Sequence, residues 1–237
     1  MPTMYEIYDL HAREYDALVE REDFRGNLCS ALRSRFDWHE KVVAEPGIGT
    51  GRVTACYIEL AGRVIGFDRS SHMLERAALN LTEWVSKVVL EPADHRSLPV
   101  GDGVADLFIE GWAFGHTIVD NPDDTLAVTR ELIAEAERVS KPGAPIILIE
   151  TLGTNTDQPA PPLPELAEFY RALEQEHGFV CDVLRTDYRF QSRAQAEHLC
   201  GFFFGKGMRD TVSRRLAGCP DDVAVEIPEF TGIWIRT

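Results

Sequence analysis

Residues 45–51 read Glu-Pro-Gly-Ile-Gly-Thr-Gly, directly after the apolar run Val42-Val43-Ala44. Glycines at alternate positions let a backbone turn sharply and approach a ligand closely, with amide groups aimed at it from a helix N-terminus. Further along stand carboxylates at Asp68 and Asp94 and imidazoles at His95 and His116. A carboxylate is suited to accept hydrogen bonds from two neighbouring hydroxyls. An imidazole titrates near neutrality and can take a departing proton, which makes His116 the candidate general base. Asp120, Asp123 and Asp124 have the composition of a metal cluster. Asn121-Pro122-Asp123 nevertheless reads better as a helix start with acidic residues in its first turn, so no metal site is expected.

Those residues need a frame to hold them. From Lys41 onward, short apolar runs alternate with helical stretches, the pattern of a parallel sheet with crossover helices. Strands are expected over 41–45, 63–68, 87–91, 105–110 and 145–151, and helices over 51–61, 70–82 and 123–139. Ser70 ahead of Met73 and Leu74 suits a helix start, and Lys141-Pro142-Gly143 suits a helix end. The first forty residues hold amphipathic segments with Tyr5, Tyr8 and Tyr15, and read as a cap over the ligand edge of the sheet. Beyond Thr151, residues 158–164 carry four prolines and form an irregular linker. A helix over 165–177, a strand over 179–190, one or two helices over 193–215 and a closing strand over 223–235 then follow. Strands this late, without a short parallel crossover, suit an antiparallel edge.

In an open α/β sheet the ligand lies beyond the carboxyl ends of the strands. A dinucleotide fingerprint places a third glycine at the sixth position of G-x-G-x-x-G. From Gly47 that position is Arg52, and from Gly49 it is Thr54. Glu45 would also face two phosphates. No Lys follows Gly51, which excludes the G-x-x-x-x-G-K-[ST] phosphate loop. A ligand carrying an amino group and a positive sulfur fits this acidic crevice better.

At this point the sequence resembles the class I S-adenosylmethionine (SAM)-dependent methyltransferase family. That family's first motif, acidic-x-G-x-G-x-G after a strand, matches residues 45–51. Its second, D-x-S-x-x-M-L, matches Asp68-Arg69-Ser70-Ser71-His72-Met73-Leu74. An Asp after the third strand matches Asp94, and a fourth strand opening with Asp and ending near an aromatic matches residues 106–112. The Lys-Pro-Gly turn before the fifth strand matches as well. The resemblance covers residues 40–150, and more weakly the Tyr15-Asp16 pair.

The resemblance implies a Rossmann-like three-layer α/β sandwich. Its sheet would be mostly parallel and seven-stranded, with an antiparallel C-terminal edge and an N-terminal helical cap. The chain would be one domain, with the cap over 1–40, the SAM-binding core over 41–151 and a C-terminal part over 152–237 that carries an acceptor-side insertion. Gly47, Gly49 and Gly51 would wrap the methionine part of SAM, with Glu45 near its amino group or a bridging water. Asp68 would bind the ribose hydroxyls, Arg69 and Met73 would flank the adenine, and Asp94 would accept the adenine amino hydrogen with His95 beside it. Tyr15 would close over the methionine end. The activity implied is methyl transfer from SAM to an oxygen or nitrogen of a small-molecule acceptor, leaving S-adenosylhomocysteine. The rivals are a SAM-binding protein without turnover and a nucleotide-dependent oxidoreductase.

Composition narrows the partners. The 237 residues carry 24 basic and 39 acidic side chains, a formal net charge of −15. Such a field repels polyanions, so a nucleic-acid partner is not expected. No apolar run reaches the length of a membrane span, and the first twenty residues lack an apolar signal core, so a cytoplasmic location is expected. The five scattered cysteines contain no CxxC pair and suggest neither zinc nor a disulfide framework. The run Phe202-Phe203-Phe204 reads as a buried helix or an interface, which leaves a homodimer open.

Overall fold

The computed structural model describes Glu6 and residues 10–237; Tyr5 and Tyr8 lie outside the described residues. Seven strands form one sheet. They are β1 (Val42–Pro46), β2 (Arg63–Asp68), β3 (Val88–Pro92), β4 (Leu107–Gly111), β5 (Ile146–Thr154), β6 (Val180–Arg185) and β9 (Glu229–Arg236), in the order β3-β2-β1-β4-β5-β9-β6. Strands β1 to β5 pair in parallel, and β9 runs antiparallel between β5 and β6. The chain passes outward from β1 to β3, then returns to lay β4 against the other side of β1. That reversal opens a crevice between the carboxyl ends of β1 and β4.

Alternation along the strands splits the core in two, as a sheet covered on both faces requires. Ala44, Phe108, Ile146 and Leu148 face helices α6 (Thr125–Val139) and α7 (Pro164–Gln175), through Leu132, Ile133, Phe169 and Leu173. Val43, Val64, Leu107, Ile147 and Ile149 face the other way, onto Leu28 and Leu32 of α2 (Asn27–Arg35) and Tyr57 of α3 (Thr54–Tyr57). Helix α4 (Ser71–Asn80) starts where its sequence predicts, with the Ser70 side chain accepting the Met73 N–H. Helix α5 (Phe114–Val119) follows β4.

A third cluster forms the cap. Leu18 of α1 (Ala12–Val19) packs with Tyr188 and Phe190 of β7 (Tyr188–Phe190) and with Val225 and Ile227 of β8 (Val225–Ile227). Leu199 of α8 (Arg193–Phe204) and Val212 of α9 (Lys206–Arg215) complete it. The cap is therefore built from both ends of the chain.

The structure departs from the sequence reading in three places. The strand expected over 179–190 breaks into β6 and β7, because the Asp187 carboxylate accepts the Glu229 N–H and leads the chain off the sheet. The strand expected over 223–235 breaks at Pro228, which has no N–H to give a ladder. Finally, Cys29 and Cys56 form a disulfide, their Cα atoms 4.7 Å apart where α2 lies along α3. A separation of 27 residues hid that pairing in the sequence.

Candidate active site

A cavity of about 410 Å³ opens at the crevice beyond β1 and β4. Its wall includes eight of the residues singled out from sequence: Tyr15, Gly47, Gly49, Asp68, Arg69, Met73, His95 and His116. They arrive from five separate segments, which is what a site at a strand-order reversal demands.

The glycine loop turns on positive φ values of 68°, 55° and 87° at Gly47, Gly49 and Gly51. At Gly47 a side chain would also collide with the Ala113 Cβ, so the loop lies directly against the segment that follows β4. Asp68, at the end of β2, completes the floor. Its Oδ2 accepts the Gly49 N–H at 3.0 Å and its Oδ1 accepts the Ser70 N–H at 2.9 Å. A carboxylate offers about four lone-pair directions, so the group keeps acceptor capacity beyond its backbone amides for ligand hydroxyls. Burial raises the Asp68 carboxyl above its ordinary range, and the two amides oppose that shift.

Both cavity histidines are held neutral. Burial lowers His95 to about 4, and burial with the nearby Arg69 charge lowers His116 to about 4. The His95 Nδ1 is buried without a hydrogen-bond partner among the described residues. Burial pushes the Tyr15 phenol up to about 12, so it keeps its proton. Tyr15 also rests on Phe203 of α8, ring centroids 5.7 Å apart, which ties the phenylalanine run to the cap over the cavity.

Three expected donor contacts lie outside the cavity wall. Glu45 is 1% exposed and turns behind the loop, accepting from Thr54 Oγ1 at 2.6 Å and from the Tyr57 hydroxyl. Burial lifts its carboxyl to about 7. Gly51 faces Leu81, whose Cδ1 would stand 2.8 Å from an added Cβ. Asp94 is occupied by Arg96, which donates its backbone N–H at 2.9 Å and its guanidinium at 3.1 and 3.3 Å.

From sequence, Trp112 and Phe114 could equally line the acceptor pocket or pack the helix that follows, and the structure separates the two. Trp112 lines the cavity in a left-handed conformation (φ 54°), its ring stacked at 4.0 Å by the Arg52 guanidinium. Arg52 in turn makes a two-pronged pair with Glu22, both contacts at 2.9 Å. Phe114 belongs to the core, 0% exposed. Asp120 and Thr117 line the far end of the cavity. Among the described residues, no group of acidic, histidine or cysteine side chains is arranged to hold a metal ion. No described helix is long and apolar enough to cross a membrane.

With that geometry in view, comparison with known proteins is informative. A family profile described as a methyltransferase domain matches residues 44–148. An uncharacterized methyltransferase of Geobacillus kaustophilus is 27% identical over 152 residues, covering 62% of this chain and 66% of the relative, just under two thirds of its length. A SAM-dependent methyltransferase of Aquifex aeolicus superimposes with a TM-score of 0.55 at 16% identity, covering 100% of both chains. A Haemonchus contortus phosphoethanolamine N-methyltransferase, solved with phosphomonomethylethanolamine and S-adenosylhomocysteine, superimposes with a TM-score of 0.57 at 16% identity, covering 99% of this chain and 60% of its own. At such identities the structural likeness is one of fold.

Proposed function

We propose that this chain, which belongs to the class I SAM-dependent methyltransferases, moves the methyl group of SAM to an oxygen or nitrogen of a small-molecule acceptor. The observation that carries the reading is the Asp68 carboxylate. It lines the cavity with both oxygens held by backbone amides and acceptor capacity left for the hydroxyls of a ribose. The rest of the wall fits the same donor. Backbone amides of the glycine loop suit the methionine end, with the Tyr15 hydroxyl above them. His95 lines the cavity as a neutral imidazole and suits the adenine side beside Asp94, whose carboxylate also pairs with Arg96.

SAM bound there supplies a methyl group already activated on a sulfonium. The chain's own task is then alignment and exclusion of water, and alignment alone is worth roughly 7–11 kcal/mol of barrier. Neutral His95 and His116 add no positive charge beside the sulfonium. Attack by a hydroxyl leaves positive charge on its oxygen and makes the proton there strongly acidic, so a neutral imidazole can accept it even though burial has made that imidazole a weak base; this is the role assigned to His116. An attacking amine becomes an ammonium that keeps its proton and gives it to solvent after release. Acceptors enter from the Trp112, Thr117 and Asp120 end, between the segment after β4 and the cap. A cytoplasmic location belongs to the same reading.

The test is transfer of labelled methyl from SAM to a small-molecule extract, with Asp68→Ala as control. Label appearing in a metabolite with the wild-type chain alone supports the proposal. Binding of S-adenosylhomocysteine without any transfer would favour a protein that holds SAM without turnover.

A further inference from the structure

Two carboxylic residues lie beneath the wall formed by the segment after β4. Glu110 of β4 is 0% exposed and Glu150 of β5 is 2% exposed. Phe108 and Leu148, each two residues earlier on its strand, face the same core, so strand alternation puts both glutamates on one side of the sheet. Glu110 Oε2 accepts the N–H groups of Ala113 at 3.1 Å and Phe114 at 3.2 Å. Glu150 Oε1 accepts the N–H of Gly115 at 2.5 Å. Three successive backbone amides are thus held by two buried carboxyls. Residue 115 must be glycine for this, since a Cβ there would stand 2.6 Å from Glu150 Oε2.

Glu110 Oε1 is buried with no hydrogen-bond partner among the described residues. The other ionisable groups facing the pair bring no cation. Among the described residues they are Glu45 on β1 and Tyr170 on α7, whose hydroxyl donates to the Thr151 carbonyl. Two adjoining carboxylates without a cation cannot both stay ionised away from water. A proton on Glu150 would give Glu110 Oε1 the donor that it lacks.

We infer that Glu110 and Glu150 share one proton, and that the pair acts as a positioning device for the cavity wall. It clamps the amides of residues 113–115, and so fixes Ala113 against the glycine loop and sets Trp112 and His116 beside the ligand. Burial raises both carboxyls, and the Glu110 charge raises Glu150 further, in keeping with a retained proton. When that proton leaves, two adjacent negative charges push the clamps apart and the wall loosens. The binding readout rests on the SAM reading of the cavity; the clamp itself does not.

Two readouts on the full chain test this. Calorimetric titration with S-adenosylhomocysteine is run at pH 6.5 and 9.5 on the wild type, Glu150→Gln and Glu150→Ala, with thermal melts at both pH values to confirm folding. The wild type is expected to bind about ten-fold more weakly at pH 9.5 than at pH 6.5. Glu150→Gln, whose amide replaces the shared proton and cannot lose it, should hold its affinity across that range. Glu150→Ala should be weak at both. Hydrogen exchange over residues 111–119, corrected for intrinsic rates, reads the clamp without any ligand. Protection there should fall at pH 9.5 in the wild type and persist in Glu150→Gln. The same pH response in the wild type and Glu150→Gln, in exchange or in binding, overturns the inference. A wild type that binds no S-adenosylhomocysteine at pH 6.5 but shows the exchange difference overturns the donor reading and leaves the clamp standing.

Discussion

The Asp68 carboxylate accepts the Gly49 N–H at 3.0 Å, so a single side chain joins the end of the second strand to the glycine loop. The same carboxylate shapes the loop and faces the cavity. Its replacement should therefore affect binding more than folding.

Asp68→Ala should weaken S-adenosylhomocysteine binding by an amount set by charge-assisted hydrogen bonds, about 1.5–3 kcal/mol, or roughly ten- to a hundred-fold in affinity. Calorimetry at neutral pH measures it. An affinity unchanged within two-fold would remove Asp68 from the site.

Gly47→Ala should be costly for a separate reason. Its φ of 68° disfavours any L side chain, and the new methyl would meet Ala113. A stability loss of at least about 1 kcal/mol in urea denaturation is expected, together with loss of ligand binding. An unchanged midpoint would show that the loop can shift freely, contrary to its tight packing on the segment after β4.

Asp16 on α1 is 5% exposed and accepts from Arg76 Nε at 2.5 Å and Asn80 Nδ2 at 3.3 Å, while that same Asn80 amide reaches the Thr50 carbonyl at 3.0 Å. The cap is thereby latched to α4 and to the glycine loop. Asp16→Ala should cost about 1–3 kcal/mol and speed proteolytic cleavage within α1. Cleavage at the wild-type rate would argue that Tyr15 is held over the cavity by other contacts.

These cases also show what the sequence could reveal. The glycine loop, Asp68 and the helix start at Ser70 are local patterns, and a strand, a turn and a cap carry their own chemistry in adjacent residues. The antiparallel edge is legible in strands that come late without a short parallel crossover, whereas strand order emerges only in the packed sheet. The Asp16 latch spans 60 residues to Arg76, and the Glu110–Glu150 clamp joins two strands, so neither leaves a local trace. Glu45 is a related case. The motif fixes its place at the strand end, but only packing decides that Thr54 and Tyr57 draw its side chain behind the loop.

The histidines make a pH prediction with a definite sign. In the folded chain His116 stays neutral down to about 4, whereas the unfolded side chain takes its proton near 6.5. Between those values the unfolded state binds more protons, so stability falls as pH drops from about 6.5 toward 4 and is unaffected by this group above 6.5. Each pH unit in that window is worth up to about 1.4 kcal/mol. The stability of His116→Gln relative to the wild type should therefore rise as pH falls from 6.5 to 4.5. A difference that is flat with pH would mean that His116 is charged or exposed in the fold.

The most direct test of the central claim is a thermal-shift titration of the full chain with S-adenosylhomocysteine, run beside NAD(H). At a hundred times its dissociation constant, a ligand of the native state adds about 2.7 kcal/mol. A rise in melting temperature with S-adenosylhomocysteine alone, lost in Asp68→Ala, is the predicted result. No rise, or a rise only with NAD(H), would contradict the assignment of the cavity to SAM.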